Sequence, residues 1–161
     1  MTASTLQVRA ATAADLEVLG RLGASLMRAH HAYDQRRFMA PGAQPERGYA
    51  RFLGSQLDRP DAAIFVAETG GEVVGYAYAG IEPVSWEALR EESGYVHDLI
   101  VDEAHRGKGV ATALMEAALA WVRDRGIPRV VLGTAQQNDV AQRLFERLGF
   151  RRTMVEMTKE L

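Results

Sequence analysis

The chain's 161 residues are enough for one domain and too few for two independent cores. Its 47% hydrophobic and 25% charged content supports a real core that needs no metal or disulfide staple. With no cysteine, thiol nucleophiles, Cys-ligated zinc, iron–sulfur clusters and redox switching are excluded. Nineteen Lys+Arg against 21 Asp+Glu, a net charge of -2, argues against nucleic acid or an anionic membrane as partner.

The stretch Met1 to Arg9 lacks a charged n-region and a long apolar run, and no 18-residue apolar stretch occurs. The expectation is a soluble, cytoplasmic protein with one domain over residues 1–161. Leu6 to Arg9 alternates as a short strand. Thr12 with Asp15 has the spacing of a capping pair, opening a helix to about His31 with the stripe Leu16, Leu19, Leu22 and Leu26. A polar loop, Asp34 to Gln44, precedes a second helix in which Pro45 suits the first turn and Tyr49, Phe52, Leu53 and Leu57 recur at helical spacing. Two β-rich runs, Ala62 to Glu68 and Val73 to Ala79, flank Thr69-Gly70-Gly71-Glu72 and predict a hairpin. Another strand, Tyr95 to Val101, follows a loop.

From there the pattern alternates strand and helix, which implies crossover connections and some parallel pairing. The spacing predicts a helix from about Gly109 to Arg125, with Val110, Leu114, Ala118 and Trp121 on one stripe, ended by Gly126 and Pro128. Arg129 to Gly133 reads as a short strand. Asn138 or Asp139 caps a last helix that turns Ala141, Leu144, Phe145 and Leu148 inward and stops at Gly149. Arg151 to Thr158 reads as a closing strand.

The stretch that carries chemistry is Asp98 to Thr112, an apolar strand that turns through glycines into a helix. Backbone N–H groups at a helix start have no intrahelical acceptor, and the helix dipole adds positive potential there, so the segment suits a phosphate. Gly107 and Gly109 permit a close turn, while Arg106 and Lys108 add charge suited to a diphosphate. The same residues also describe a plain helix-entry turn with solvated cations. A Walker loop is excluded because Gly109, not Ser or Thr, follows the lysine, and no Gly-x-Gly-x-x-Gly opens a first βαβ unit.

The run Arg106-Gly-Lys-Gly109-Val-Ala111 after an apolar strand, with Asn138 opening the next helix and Arg143 to Phe150 as helix end and strand entry, resembles the GNAT superfamily of acetyl-CoA-dependent N-acetyltransferases. The resemblance is firm over Gly94 to Thr158. It implies an α/β fold: a central, mixed, mostly antiparallel sheet flanked by about four helices, with the fourth and fifth strands splayed to admit the pantetheine arm. It implies acetyl-CoA as cosubstrate, received by Leu99, Ile100 and Val101 and by Arg106, Gly107, Lys108, Gly109, Val110, Ala111 and Thr112. The N–H of Leu99 or Ile100 would hold the thioester carbonyl. Asn138 would contact the cofactor arm, or act simply as an N-cap.

An amine attacks a thioester only when neutral, which costs a lysine-like amine roughly 4.6 kcal/mol at pH 7. In some members a glutamate stands where this chain has His97. A histidine titrates near neutrality and suits a base, though hydrogen bonding within the sheet accounts for it equally. Alternation puts His97 on the face of Leu99 and Val101, and Asp98 on the other. The family's frequent acid, a tyrosine, falls on Phe145, so that role is vacant; Tyr33, Tyr78 and Tyr95 are other hydroxyls.

His30 and His31 are adjacent on a helix and diverge by about 100°, so they read as helix C-terminal cations and not as metal ligands. Arg36, Arg37 and Phe38 lie in a loop that borders the acceptor in the family. Glu82, Glu87, Glu91 and Glu92 against Arg90 form an acidic rim that attracts a cationic amine, with Trp86 in the same loop. The expectation is acetyl transfer to a primary amine of a small molecule or peptide, by direct attack through a tetrahedral intermediate. A homodimer is compatible with the family. The competing reading is a non-catalytic acyl-CoA-binding or sensory module.

Overall fold

The computed structural model describes residues 5–161, so the first four residues of the stretch read for a leader lie outside it. The capping pair forms: the Asp15 carboxylate accepts from the Thr12 N–H at 2.8 Å and from two Arg9 nitrogens at 2.9 Å. That junction launches α1 (Leu16–Tyr33), which is followed by α2 (Pro45–Gly54) with Pro45 in its first turn. The strands are β1 (Gln7–Ala10), β2 (Ala62–Thr69), β3 (Glu72–Glu82), β4 (Ser93–Val101) and β5 (Val130–Leu132), joined in that order in one sheet. The first three junctions are antiparallel. Only β4 and β5 run parallel, as a connection through α3 (Val110–Arg123) requires. After β5 comes α4 (Asp139–Arg147). The architecture is the mixed, mostly antiparallel sheet with four α-helices that the family pattern implies.

Helices cover both faces. Leu19, Leu22 and Leu53 of α1 and α2 pack on Ile64, Val66, Tyr76 and Tyr78. On the opposite face Val110 and Leu114 of α3 meet Ala67, Val74, Ala77 and Val101, while Met115, Ala118 and Phe145 cover Ala79 and Val96. Each fully buried aliphatic side chain contributes about 1.5–3 kcal/mol, which fixes both layers to the sheet. Helices α1 and α2 pack closely: a Cβ on Gly23 would lie 2.0 Å from the Tyr49 ring. The missing side chain at Gly23 is what lets Tyr49 lie over the sheet.

Strands β4 and β5 pair at three positions only, Gly94 with Val130, Tyr95 with Val131 and Val96 with Leu132. Beyond Val96, β4 continues to Val101 with no partner on that side among the described residues. This is the divergence expected of the fourth and fifth strands.

Two expectations are corrected. The register of β3 against β4 shifts between Tyr78 and Ala79, since Tyr78 opposes Asp98 while Ala79 opposes Val96. His97 is thus the extra residue of a β-bulge. The bulge breaks strict alternation and turns His97 and Asp98 to the same face, that of α1 and α2, while Leu99 and Val101 pack under α3. His97 therefore does not share a face with Leu99 and Val101. The second correction concerns Arg151 to Thr158, which forms no strand: residues 148–161 have no regular structure. The segment is anchored by Arg37 to Glu156 and by Arg36 to Glu160 at 3.9 Å, which direct it to the α1–α2 loop. β-propensity without a pairing partner does not make a strand.

Candidate active site

Strand β4 ends at Val101, a 3-10 turn follows over Glu103–His105, and α3 begins at Val110. Asp102 caps the turn, accepting from the Ala104 N–H at 3.0 Å. Gly107 and Gly109 have φ of 73° and 80°, the left-handed region that glycine enters without penalty. Among the described residues no backbone N–H from Gly107 to Thr112 donates to a protein acceptor. The six amides form a row at the start of α3 with the helix dipole behind them. Arg106 Nε donates to the Val101 carbonyl at 3.1 Å and Lys108 Nζ to the Ala104 carbonyl at 3.0 Å, which folds both cations over the turn.

A second set of free amides lies on the open edge of β4. The Asp102 N–H donates to the Val74 carbonyl at 2.8 Å, so alternation points the Ile100 N–H toward β3 as well. The N–H groups of Leu99 and Val101 then face the gap where β5 has turned away. Of the two candidates for holding a carbonyl, Leu99 presents its amide to the splay and Ile100 does not.

At the start of the splay stands His97. Its ring is stacked between Tyr78 and Tyr95, each at a centroid distance of 4.7 Å. The Tyr78 hydroxyl donates to Gln56 Oε1 at 3.1 Å, which holds that ring in place. Nε2 of His97 lies 3.2 Å from Glu82 Oε1. A carboxylate only accepts, so in neutral His97 the proton sits on Nε2 and Nδ1 keeps its lone pair. Burial beside the two rings lowers the His97 pKa below its ordinary value, against the opposing pull of Glu82 and Asp98. That direction favours the neutral imidazole at pH 7.

Beside it stands the half-buried Asp98, whose Oδ2 accepts from the Tyr49 hydroxyl at 3.0 Å and the Tyr76 hydroxyl at 2.9 Å. Burial raises the Asp98 pKa, and the two hydroxyls work against that rise. Both tyrosines are themselves shifted upward, chiefly by burial, and stay protonated as donors. The partnership of Glu82 with His97 and the Tyr49–Asp98–Tyr76 cluster escape a reading by alternation. Tyr49 signals itself only as an inward residue of α2, and Glu82 only as part of an acidic rim.

A cavity of 2360 Å³ lies over this region and takes in His97, Asp98 and Leu99 together with Asn138 and Phe145. Arg106 to Thr112 lie outside it, past the end of β4. Asn138 caps α4, its Oδ1 accepting from the Ala141 N–H at 3.1 Å, which leaves its amide nitrogen free for another partner. Phe145 is buried against Phe150. Arg37 and Phe38 border the cavity and Arg36 does not. His30 Nδ1 engages the Leu26 carbonyl and His31 Nδ1 the Phe38 carbonyl. Among the described residues no three His, Cys, Asp or Glu side chains are grouped as metal ligands, and no helix is long and apolar enough to cross a membrane.

Residues 25–150 match the model of the acetyltransferase (GNAT) family. The chain belongs to this family. Among curated relatives, human N-acetyltransferase 8B is 38% identical over 99 residues, 62% of this chain and 43% of that protein. The mycothiol acetyltransferase of Cellulomonas flavigena is 35% identical over 99 residues, 60% of this chain and 28% of that protein. The chain thus spans less than half the length of these relatives. Among solved structures, the aminoglycoside N-acetyltransferase AAC(6')-Iy in complex with CoA superposes with a TM-score of 0.76 at 21% identity, covering 98% of this chain and 95% of that one. That likeness is one of fold. The match takes in the free amides of Gly107 to Thr112 at the start of α3.

Proposed function

We propose that this GNAT domain transfers acetyl from acetyl-CoA to a primary amine of a small molecule or peptide, with His97 as the base. The observations that carry the reading are two sets of unpartnered main-chain amides, Leu99 and Val101 on the open edge of β4 beside His97 and Gly107 to Thr112 at the start of α3. Unsatisfied donors in such a row suit the amide, carbonyl and diphosphate groups of coenzyme A. When bound, acetyl-CoA supplies an activated thioester carbonyl.

The chain's own groups account for the rest. The Leu99 N–H receives negative charge on the carbonyl oxygen as a neutral amine attacks directly. Nδ1 of His97 accepts the ammonium proton, and Glu82 on Nε2 stabilises the resulting imidazolium. The N–C bond forms first, the C–S bond breaks as the carbonyl re-forms, and the proton passes from His97 to the departing sulfur or to water. A thiol of pKa near 8.5 leaves as thiolate at pH 7 for only about 2 kcal/mol, so Phe145 in place of a tyrosine does not stop turnover. The Tyr95 hydroxyl stands 3.5 Å from a Cβ built on Gly133, just past the end of β5.

Thiol release measured against a diverse amine panel tests the reading. At least one acceptor is expected to liberate CoA, and Arg106→Glu or Lys108→Glu to weaken CoA binding. Tight acetyl-CoA binding with no thiol released from any amine would favour the non-catalytic module, to which Phe145 lends some support.

A further inference from the structure

We propose that Arg90 binds a carboxylate of the acceptor, so that the acetylated amine belongs to an α-amino acid or a similarly compact zwitterion. The inference rests on the acetyl-transfer reading and adds the acceptor's chemical class. Residues 83–92 join β3 to β4, and within them Ser85 and Arg90 exchange backbone hydrogen bonds of 2.9 and 3.0 Å. That closure holds Leu89 at φ 49°, the one positive φ outside glycine among the described residues. Such a conformation persists only where the surroundings enforce it, and it fixes where the next residue points.

Arg90 lines the same large cavity as His97. Its guanidinium carbon lies 5.8 Å from the centroid of the Tyr95 ring, and Tyr95 stacks on His97. The cation is one ring removed from the base. Its Nε is buried with no hydrogen-bond partner. By contrast Arg9, Arg28, Arg37 and Arg59 each engage a carboxylate. The Arg90 Nε–H is closed to ligands as well as to water, so a planar carboxylate would meet the Nη1/Nη2 end of the fork, which has no protein acceptor among the described residues.

The cofactor's diphosphate does not reach this place. Arg90 precedes the first residue of β4, and the amide row begins at the far end of that strand, about 25–30 Å away at the rise of an extended chain. The acceptor side is where the two charges of a zwitterion find opposite partners: the amine at His97 with Glu82 and Asp98 nearby, the carboxylate at Arg90. A polyamine would set a second cation against Arg90.

L-Leucine and isopentylamine differ by the carboxylate alone, and thiol release with each measures the preference. The ratio of kcat/KM, leucine over isopentylamine, is expected to fall about ten- to hundredfold in Arg90→Gln and to recover in part in Arg90→Lys. A ratio unchanged in Arg90→Gln, or a wild-type preference for isopentylamine, overturns the proposal while leaving acetyl transfer intact. An independent readout is the Arg90 Nε–H resonance, identified by its loss in Arg90→Gln. It is expected to shift on titration with N-acetyl-L-leucine and not with N-acetylisopentylamine; no shift with the acid overturns the proposal. A shift without thiol release from any amine would retain the carboxylate site and reject the enzyme.

Discussion

His97 is poised by three neighbours that each do a different thing. Tyr78 and Tyr95 each stack on the ring and fix its plane, and Glu82 fixes the tautomer. Because burial lowers its pKa, kcat/KM is expected to fall on the acid side with a midpoint below the ordinary histidine value of about 6.5. Protonation fills the Nδ1 lone pair, so activity is lost as pH falls. In His97→Gln that limb should disappear and the rate drop about 10²–10⁴-fold, the usual worth of a positioned base. A pH–rate profile checks both, and a limb that persists in the variant contradicts the assignment. Asp15 has a purely structural counterpart. Arg9, whose hydrogen bonds outweigh the cost of burial, lowers the Asp15 pKa. Its contribution is therefore complete above the ordinary carboxylate value and lost as pH falls through the lower folded value. Asp15→Ala should cost about 1–3 kcal/mol in urea unfolding at pH 7, and less as the pH drops toward 3.

At the level of elements, two glycines decide where the site groups lie. Gly23→Ala would drive a methyl into the Tyr49 ring, so the ring must leave or α1 must shift. Overpacking of this kind costs about 1–3 kcal/mol, and the Tyr49 bond to Asp98 should be lost with it. Denaturant unfolding and the hydroxyl resonance of Tyr49 would report the two effects. Gly109→Ala is different in kind. Its φ of 80° makes the variant less stable by about 1 kcal/mol, yet no protein atom lies within 4 Å of the new Cβ. The methyl would stand in the space assigned to the diphosphate, so CoA affinity should fall by more than the melting temperature suggests. Calorimetric titration beside a thermal melt separates the two, and unchanged affinity would contradict the placement.

The helices were readable because each carries local punctuation: Thr12 with Asp15, Pro45 in a first turn, Asn138 at a cap. The turn into α3 was readable for the same reason. The phase of His97 and Asp98 was not, since the bulge arises from how β3 registers against β4, and no window of one strand contains that information.

For the molecule as a whole, the order of elements, the mixed sheet and the splay were all foreshadowed by the motif at Arg106 to Ala111 and the alternation of strand and helix after it. The tail was not. Arg151 to Thr158 has strand-like residues, but strand formation depends on an available edge, and the ion pairs to Arg36 and Arg37 draw the segment elsewhere. The candidate site was legible in part: His97 stood out as a titratable strand residue beside Asp98, whereas Glu82 and Tyr49 approach from β3 and α2. The central claim is that the unpaired amides beside the splay receive coenzyme A. Titration of ¹⁵N-labelled protein with acetyl-CoA tests it most directly. The largest shifts are predicted at Leu99, Val101 and Gly107 to Thr112, with Ile100, bonded toward β3, moving less. Resonances of these residues that stay in place at saturating acetyl-CoA would contradict it.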